Sequence, residues 1–400
     1  MNAATNEIIN QHLIDPEICI RCYTCEEMCP VDAITHDDMN VVVDVATCEY
    51  CMACIAPCPT GSIDNWRMVV TPYSLEEQLS WDELPAQQDL GAADSGDLME
   101  AMEDEISSLL AEAHAGTGGK PVAPASAAKP SINLFSRSTP ATATVQGNFR
   151  LTDVQAESDV RHIILNFGDT VFPVLEGQSI GVIPPGTGDN GKPHAIRLYS
   201  VASPRGGEKP NANNIALTVK REPDGLCSNY LCDLKRADTV DVTGPFGGTF
   251  LMPNDANANI VMICTGTGSA PFRAFTERRR RAMPGAPGEL VLFFGARRPE
   301  ELPYFGPLRK VPASLLTQHL VYSRLPDKPK EYVQDRMRKC ADDMAQLLED
   351  EKTHVFICGL KGMESGVDDA FADICEAAGL DWAAMKPAMR SSGRYHVETY

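Results

Sequence analysis

Eight of the 14 cysteines lie between positions 19 and 58, in two runs of the form C-x2-C-x2-C-x3-C-P. In such a run three closely spaced thiolates hold one cubane iron–sulfur cluster, and the fourth cysteine ligates the neighbouring cluster. The spacing therefore predicts two [4Fe–4S] clusters. The first would use Cys19, Cys22, Cys25 and Cys58, and the second Cys48, Cys51, Cys54 and Cys29. Structural zinc is the alternative, but it usually takes paired C-x2-C knuckles.

The two cysteine runs are an internal repeat, since a shift of 29 positions places the first on the second. Each run ends in a proline, Pro30 or Pro59, and continues with a similar tail. Over residues 12–66 the chain resembles bacterial-type two-cluster ferredoxins. The resemblance implies a ferredoxin domain over residues 1–70 that shuttles single electrons and does no chemistry on a substrate.

The charge of the chain is concentrated at its N-terminal end. The net charge is −20, yet −21 is already reached before Lys120. This argues against nucleic acid or an anionic membrane as a partner and favours a positively charged protein. No apolar run approaches the roughly 18 residues of a membrane span, and no basic stretch followed by an apolar one opens the chain. We expect a cytoplasmic protein.

Element patterns divide the remainder into a linker and two domains, so the fold class is multidomain, α+β and α/β. Residues 71–140 form an acidic, then Ala/Pro-rich linker of flexible composition, with one amphipathic helix predicted over Asp97–Ala115. Short β runs over residues 141–255 predict an antiparallel barrel. Strands alternating with helices over residues 256–400 predict a parallel α/β domain.

A flavin site is indicated by Arg197-Leu198-Tyr199-Ser200 on a predicted barrel strand. A surface arginine and a core tyrosine would explain this motif alone. From about residue 145 onward, however, the chain resembles plant-type ferredoxin–NADP reductases, which implies an FAD-binding barrel. The resemblance implies that Arg197 holds the FAD pyrophosphate, Tyr199 stacks on the flavin and Ser200 bonds near its reactive nitrogen. It assigns further FAD contacts to Val219, Lys220, Gly225, Cys227 and Ser228.

A nucleotide site is indicated by the turn from Thr265 to Arg273, between a predicted strand and a predicted helix. Glycines let the backbone approach a pyrophosphate at a helix N-terminus. The resemblance assigns nucleotide contacts in this turn to Thr265, Gly266, Thr267, Gly268, Pro271 and Arg273.

NADPH is predicted over NADH, because the family binds the 2′-phosphate with basic and hydroxyl side chains, whereas an NAD site offers an acid to the ribose. The matching residues are Ser323, Arg324, Lys330, Tyr332 and Gln334. A solvated basic turn is the alternative, and the loop after Arg324 is shorter than in plant enzymes.

The segment around Cys358 and the C-terminus complete the predicted site. The resemblance implies that Cys358 lies near the nicotinamide, with Gly359 and Leu360 contacting the nucleotide. It also implies that the terminal Tyr400 covers the flavin and yields to the nicotinamide. Ser200, Cys358, Glu398 and Tyr400 are the predicted catalytic residues.

These parts predict a reductase that passes electrons from NADPH through FAD and both clusters to a separate acceptor protein, with the linker raising the effective concentration of the ferredoxin domain. The order of parts resembles the reductase components of bacterial benzoyl-CoA 2,3-epoxidase systems, which implies a di-iron oxygenase component acting on benzoyl-CoA as acceptor. The alternatives are another acceptor, flow from ferredoxin to NADP, and a non-catalytic assembly subunit with structural clusters.

Overall fold

The fold was taken from a computed structural model, which describes residues 9–51, 53–55, 57–86, 106–117, 121–188, 191–210, 212–326 and 328–400. Most of the acidic part of the predicted linker lies outside these ranges. None of the helices in the described ranges is both long and apolar enough to cross a membrane.

The N-terminal unit is built from two small antiparallel ladders around the cysteines. β1 (Ile9–Leu13) pairs with β4 (Asn65–Val69), and β2 (Ile34–His36) pairs with β3 (Val41–Val43). The short helix α1 (Thr24–Glu27) lies within the first cysteine run. The core of this unit is small, and its aliphatic side chains pack directly against the cysteines. The packing of this unit therefore serves largely to hold the cysteines in place.

Residues just beyond the predicted ferredoxin domain also pack on this unit. Helix α2 (Leu75–Leu79) begins at Ser74, whose hydroxyl and Glu77 form a capping box. The buried Gln78 exchanges hydrogen bonds with both backbone groups of Val43. Asn40 donates to the carbonyls of Leu79 and Trp81. This stretch, which composition assigns to the linker, is thus tied to the cysteine-rich unit.

The second part of the predicted linker lies against the other units. Helix α3 occupies residues 106–113 at the end of the predicted helix Asp97–Ala115, whose first residues fall outside the described ranges. A 3-10 turn, Ala115–Thr117, follows. Further on, the Phe135 amide donates to the Gly244 carbonyl, and Ala128 is buried. The Ala/Pro-rich composition predicts flexibility, but these contacts fix residues 121–135 along the surface of the barrel.

The barrel has six antiparallel strands in the order β8-β7-β10-β5-β6-β9. A bridge between Val201 and Leu217 brings β8 and β9 together. The strands are β5 (Ala141–Arg150), β6 (Val160–Asn166), β7 (Ser179–Val182), β8 (Arg197–Ser200), β9 (Asn214–Lys220) and β10 (Thr239–Phe246). Helix α4 (Leu226–Asp233) follows β9. The predicted antiparallel sheet is confirmed.

The C-terminal unit is a parallel sheet in the order β13-β12-β11-β14-β15, flanked by helices, as predicted. Its strands are β11 (Asn259–Thr265), β12 (Leu290–Ala296), β13 (Thr317–Tyr322), β14 (Thr353–Gly359) and β15 (Tyr395–Thr399). Its helices are α5 (Ser269–Ala282), α6 (Phe305–Leu308), α7 (Val333–Lys339), α8 (Ala341–Glu349), α9 (Lys361–Ala378) and α10 (Trp382–Ser391). β15 brings the C-terminus into the sheet, beside the carboxyl end of β14.

A buried charge cluster joins the N-terminal unit to the other two. Asp64 Oδ2 lies 2.6 Å from Arg205 Nη1, and Arg205 Nη2 lies 2.7 Å from Glu176 Oε2. Arg278, on α5, also donates to Asp64. Burial by itself would raise the pKa of Asp64, but the two guanidinium groups hold it below its ordinary value. The cysteine-rich unit is therefore docked on the barrel and on the parallel-sheet unit, in addition to being connected to them through the chain.

Candidate active site and cluster sites

The eight N-terminal cysteines line two separate cavities. The first is lined by Cys19, Cys22, Cys25 and Cys58. The second is lined by Cys29, Cys48, Cys51 and Cys54. These are the two sets that the spacing predicts, in which the fourth cysteine of each run lies beside the first three of the other run. Within the described ranges, no three His, Cys, Asp or Glu side chains converge closely enough to hold a single ion, as zinc requires.

The protonation of the thiols also bears on what they could bind. Burial raises the pKa values of Cys25 and Cys54 to about 12. Burial would raise the pKa of Cys58 as well, but hydrogen bonds from Ser62 and its neighbours hold it below the ordinary value. Cys25 and Cys54 are therefore neutral thiols near pH 7 unless iron binding deprotonates them. The residues fit a cluster that is assembled with the loss of thiol protons.

A row of aromatic rings leads away from the second cysteine set. His12 Nδ1 lies 4.0 Å from Cys48 Sγ, and the His12 ring stacks on Trp66 with 4.0 Å between centroids. The centroid of the Tyr50 ring lies 5.8 Å from that of Trp66. Trp66 and Tyr50 also line a cavity of about 430 Å³ between the N-terminal unit and the barrel. The rings therefore connect the second cavity to the interface.

The predicted flavin residues lie on β8 and at the end of β9. On β8, the Tyr199 hydroxyl bonds to the Cys227 thiol, and burial raises the Tyr199 pKa. Arg197 is exposed, and its Nη1 donates to the neighbouring Ile196 carbonyl. Val219 and Lys220 end β9. A basic side chain and a half-buried ring thus share the surface of one strand.

Helix α4 begins just after β9 without a side-chain cap. Its N-cap residue is Gly225, where a Cβ would lie 2.4 Å from Ser228 Oγ. The Ser228 hydroxyl donates to the Gly225 carbonyl and accepts from the Glu222 amide. An uncapped N-terminus near an exposed arginine suits a phosphate. These residues fit FAD, which supplies hydride acceptance and single-electron release when bound.

The predicted nucleotide turn follows β11 and requires glycine at two positions. Gly266 has φ +56°, and a Cβ on Gly268 would lie 2.2 Å from the Cys358 carbonyl oxygen. Thr265 Oγ1 is buried without a hydrogen-bond partner among the described residues. An orphaned hydroxyl beside a close-packed glycine turn at the start of a helix fits a pyrophosphate ligand.

Two other predicted residues of this turn are part of α5. Pro271 is buried in its first turn. Arg273 points away from the turn, because its guanidinium pairs with Glu208 at 2.6 Å and donates to the Ala202 carbonyl. The structure therefore brings Arg273 to the contact between the barrel and α5, and not to the glycines.

The predicted 2′-phosphate residues lie near the same edge of the sheet. Ser323 and Arg324 follow β13, and because the sheet is parallel, its carboxyl ends share one edge with the glycine turn. Lys330 and Tyr332 are exposed, and Tyr332 is the N-cap of α7. Gln334 lies in α7, facing Gly366. The Arg324 side chain is half exposed, and its contact with an acid among the described residues is one of 4.0 Å with Glu157.

The four predicted catalytic residues meet where the barrel touches the sheet. Ser200 Oγ donates to Glu398 Oε2 over 3.5 Å. Cys358 and Glu398 are paired residues of β14 and β15. The Tyr400 amide donates to the Gly359 carbonyl, and its hydroxyl lies 2.5 Å from Thr267 Oγ1. The C-terminus is thus anchored beside the nucleotide turn, with Leu360 exposed next to it.

Burial determines the protonation of this group of residues. Glu398 is 6% exposed, and burial raises its pKa to about 7. Burial also raises the pKa of Cys358 well above its ordinary value, so its thiol stays neutral. A carboxyl group that titrates near neutral pH and bonds to a hydroxyl can hold or pass a proton. Tyr400 is 53% exposed, and its hydroxyl bonds to Thr267.

Sequence reasoning missed three features around these sites. His114 lies beside Glu398, Asp64 pairs with Arg205, and Trp66 stacks on His12. Each joins residues far apart in the chain, and none belongs to a motif. Only the isolated position of His114 at the end of a predicted helix could have drawn attention to it.

Comparison with known families accounts for all three units. Residues 12–35 match the 4Fe-4S binding domain, residues 153–250 the oxidoreductase FAD-binding domain, and residues 262–369 the oxidoreductase NAD-binding domain. The ferredoxin–NADP reductase of Synechocystis sp. is 37% identical over 287 residues, which is 67% of this chain and 70% of that protein. The chain belongs to the ferredoxin–NADP reductase family. The cyanelle ferredoxin–NADP reductase of Cyanophora paradoxa is 39% identical over the same share of this chain and 79% of its own length.

A solved member of the family has the same arrangement of barrel and sheet. The ferredoxin–NADP+ reductase of Plasmodium falciparum is 26% identical, with a TM-score of 0.54, over 67% of this chain and 99% of that one. The predicted oxidoreductase class, the FAD-binding and NADP-binding domains and the 4Fe-4S domain are confirmed. This ferredoxin–NADP reductase homologue therefore carries its own iron–sulfur domain.

Proposed function

We propose that this chain takes electrons from NADPH and passes them through FAD and two [4Fe–4S] clusters to a separate protein acceptor. The observation that carries the proposal is the docked arrangement of the units, held by the buried Asp64–Arg205 pair. A reductase that met its ferredoxin only by diffusion would have no need of a buried ion pair between them. Bound FAD would supply the conversion between hydride and single-electron transfer.

The roles of the reductase residues are those that the family resemblance implies, and their surroundings support them. Arg197 and the uncapped start of α4 hold the FAD pyrophosphate, and Tyr199 supplies a flat surface for the flavin ring. Tyr400 would lie against the bound flavin and would yield its place to the nicotinamide. Glu398 and Ser200 hold and pass a proton next to the reacting rings.

A preference for NADPH is supported by the basic residues near the sheet edge. Arg324 is half exposed and only weakly paired, so its guanidinium can meet a 2′-phosphate. Ser323, Lys330, Tyr332 and Gln334 supply further donors. One structure of the P. falciparum reductase was solved with 2′P-AMP, which carries that phosphate group.

Two clusters are supported by the two cysteine-lined cavities, one for each predicted set. We assign residues 1–70 to the ferredoxin domain, 71–140 to the linker, 141–255 to the FAD-binding barrel and 256–400 to the NADP-binding domain. Residues 72–86 nevertheless pack on the ferredoxin domain.

For the acceptor we propose the di-iron oxygenase component of a bacterial benzoyl-CoA 2,3-epoxidase, since the order of parts over the whole chain resembles the reductase component of that system. The acidic ferredoxin domain carries the exposed apolar side chains of Ile20 and Met39, which suit docking to a partner. Another acceptor protein, or flow from ferredoxin to NADP, would use the same internal residues.

The acceptor is tested with purified components. NADPH, this chain, the oxygenase component and benzoyl-CoA are mixed in air, and the epoxide is measured alongside NADPH consumption. We expect product only when all four are present, and little with NADH. NADPH oxidation without product, when the same oxygenase yields product with another reductase, would contradict this acceptor and leave the reductase assignment standing.

A further inference from the structure

The segment that joins the ferredoxin domain to the barrel passes over β15, which carries Glu398. Helix α3 (106–113) is followed by His114 and by the turn Ala115–Thr117, which packs against β15. Ile106 and Leu110 on α3 pack against Ile196 and Phe246 of the barrel. This segment has no counterpart in a reductase that consists of the barrel and the sheet alone.

The segment places His114 next to Glu398. His114 Nε2 lies 3.7 Å from Glu398 Oε1, and the two side chains are about nine-tenths buried. The other carboxylate oxygen, Oε2, accepts from Ser200 Oγ. Glu398 therefore lies between an imidazole of the linking segment, at ion-pair distance, and a hydroxyl of β8 that donates to it.

Further contacts hold the segment at this position. Glu112 forms an ion pair with Lys361 at the start of α9. The main chain at Gly116 passes so close to α9 that a Cβ would lie 1.9 Å from Glu364 Oε2. The His114 amide donates to the Leu110 carbonyl, which extends α3 up to His114. The histidine thus lies at the fixed end of a helix.

We propose that His114 is a positioning residue that shares a proton with Glu398, so that the segment joining the two redox parts belongs to the reductase active site. The proposal deepens the proposed function and rests on the proton role given there to Glu398. The pair holds one proton, which moves from the imidazolium Nε2–H of His114 to the Glu398 carboxylate. The N–H bond breaks and an O–H bond forms, which leaves a neutral imidazole and a protonated carboxyl group beside Ser200.

The burial of Glu398 and His114 favours one proton shared between the two side chains. Burial raises the pKa of Glu398 to about 7 and lowers that of His114, so the carboxylate is not the weaker base of the two, as it would be in water. The other titratable groups packed around the pair are Cys358 on β14, His396 and Tyr400 on β15, and the Lys361, Glu364 and Glu112 side chains outside it. Burial holds the pKa of His396 at about 3 and keeps Cys358 a thiol, so His114 is the group beside Glu398 that can exchange protons with it near neutral pH.

The first test needs neither NADPH nor an acceptor. Histidine rings are labelled with carbon-13 in the full chain, and the His114 signal is assigned by its loss in His114→Gln, or in His114→Asn if the glutamine variant does not fold. We expect its titration midpoint to fall by about 1 pH unit in Glu398→Gln, because the carboxylate no longer stabilises the imidazolium. A midpoint that is the same in both proteins overturns the proposal.

The second test uses the pH profile of NADPH oxidation with a small-molecule acceptor. In His114→Gln we expect the Glu398 midpoint to move up by about 1 pH unit, because a nearby cation has been removed. Ser108→Ala, at an exposed position of the same segment, is the matched control and keeps the wild-type midpoint. A slower His114→Gln enzyme with an unmoved midpoint would mean a structural role only and overturns the proposal. A chain that oxidises no NADPH at all contradicts the proposed function, while the first test still decides the inference.

Discussion

Asp64 of the ferredoxin domain and Arg205 of the barrel form an ion pair that is almost fully excluded from solvent, with side chains 0% and 5% exposed. The pair joins residues 141 positions apart and shares Arg278 and Glu176 as further partners. Two acids and two bases balance one another there. The contact therefore behaves as a single unit, in which the removal of one charge leaves another buried and unpaired.

Asp64→Asn should loosen the docking of the ferredoxin domain. It leaves Arg205 and Arg278 with one acid between them, at a cost of about 3–5 kcal/mol. We expect faster hydrogen exchange at the interface and a ferredoxin domain that unfolds before the reductase domains on heating. Glu17→Gln, which breaks the exposed pair with Lys129, is the control and should cost less than about 1 kcal/mol. If Asp64→Asn unfolded in a single transition at the wild-type temperature, the Asp64–Arg205 contact would not be what holds the ferredoxin domain in place.

Cysteine variants should group by cavity and not by sequence run. Cys58→Ala should abolish the same cluster as Cys19→Ala, because both line the first cavity, while Cys29→Ala should abolish the other one. Each variant should retain about half of the iron. Iron analysis with electron paramagnetic resonance of the reduced proteins distinguishes the two patterns. If Cys29→Ala and Cys19→Ala lost the same signal, the predicted exchange of fourth ligands would be wrong.

Arg324→Gln should weaken discrimination between the two nucleotides. A charge-assisted bond to the 2′-phosphate contributes about 1.5–3 kcal/mol, so KM for NADPH should rise roughly 10- to 100-fold. KM for NADH should hardly change, since NADH lacks that phosphate. Arg309→Gln is the control, because its guanidinium lies over the Phe305 ring and is not one of the predicted phosphate ligands. Equal losses with both nucleotides would contradict this role for Arg324.

Glu398 should make the stability of the protein depend on pH. Burial raises its pKa from 4.5 to about 7, so between those values the folded state keeps a proton that the unfolded state has released. Stability therefore falls as the pH rises through this window, by on the order of 3 kcal/mol in total. The glutamine of Glu398→Gln cannot ionise, so the melting temperature of this variant should rise relative to that of the wild type as the pH increases from 4 to 8. A constant difference across this range would mean that Glu398 is not buried as a neutral acid.

Local patterns were enough to predict much of this molecule. The cysteine spacing predicts which four thiols surround each cavity, because each run is short and the repeat is regular. The glycines of the nucleotide turn are required by the close approach of Gly268 to Cys358, and a strand, a turn and a helix were visible around them. The antiparallel barrel and the parallel sheet followed from the β runs and from the alternation of strands with helices.

Other features have no local pattern. β5 (Ala141–Arg150) was not predicted, since its small alternating alanines and threonines resemble the linker before it. The linker composition gave no indication that residues 121–135 would be fixed along the barrel. His114 meets Glu398 only through the fold, across 284 positions of chain. Single charged or aromatic residues acquire such roles through tertiary contacts, which propensity and periodicity do not report.

The most direct test of the account is a rapid-mixing experiment without oxygen. NADPH is mixed with the holoprotein, and the flavin and cluster absorbance bands are followed at several protein concentrations. We predict that the clusters are reduced after the flavin, at a rate that does not depend on protein concentration, because the two redox parts belong to one chain and are docked through the Asp64–Arg205 contact. Clusters that stay oxidised while the flavin is reduced, or a rate proportional to protein concentration, would contradict the account.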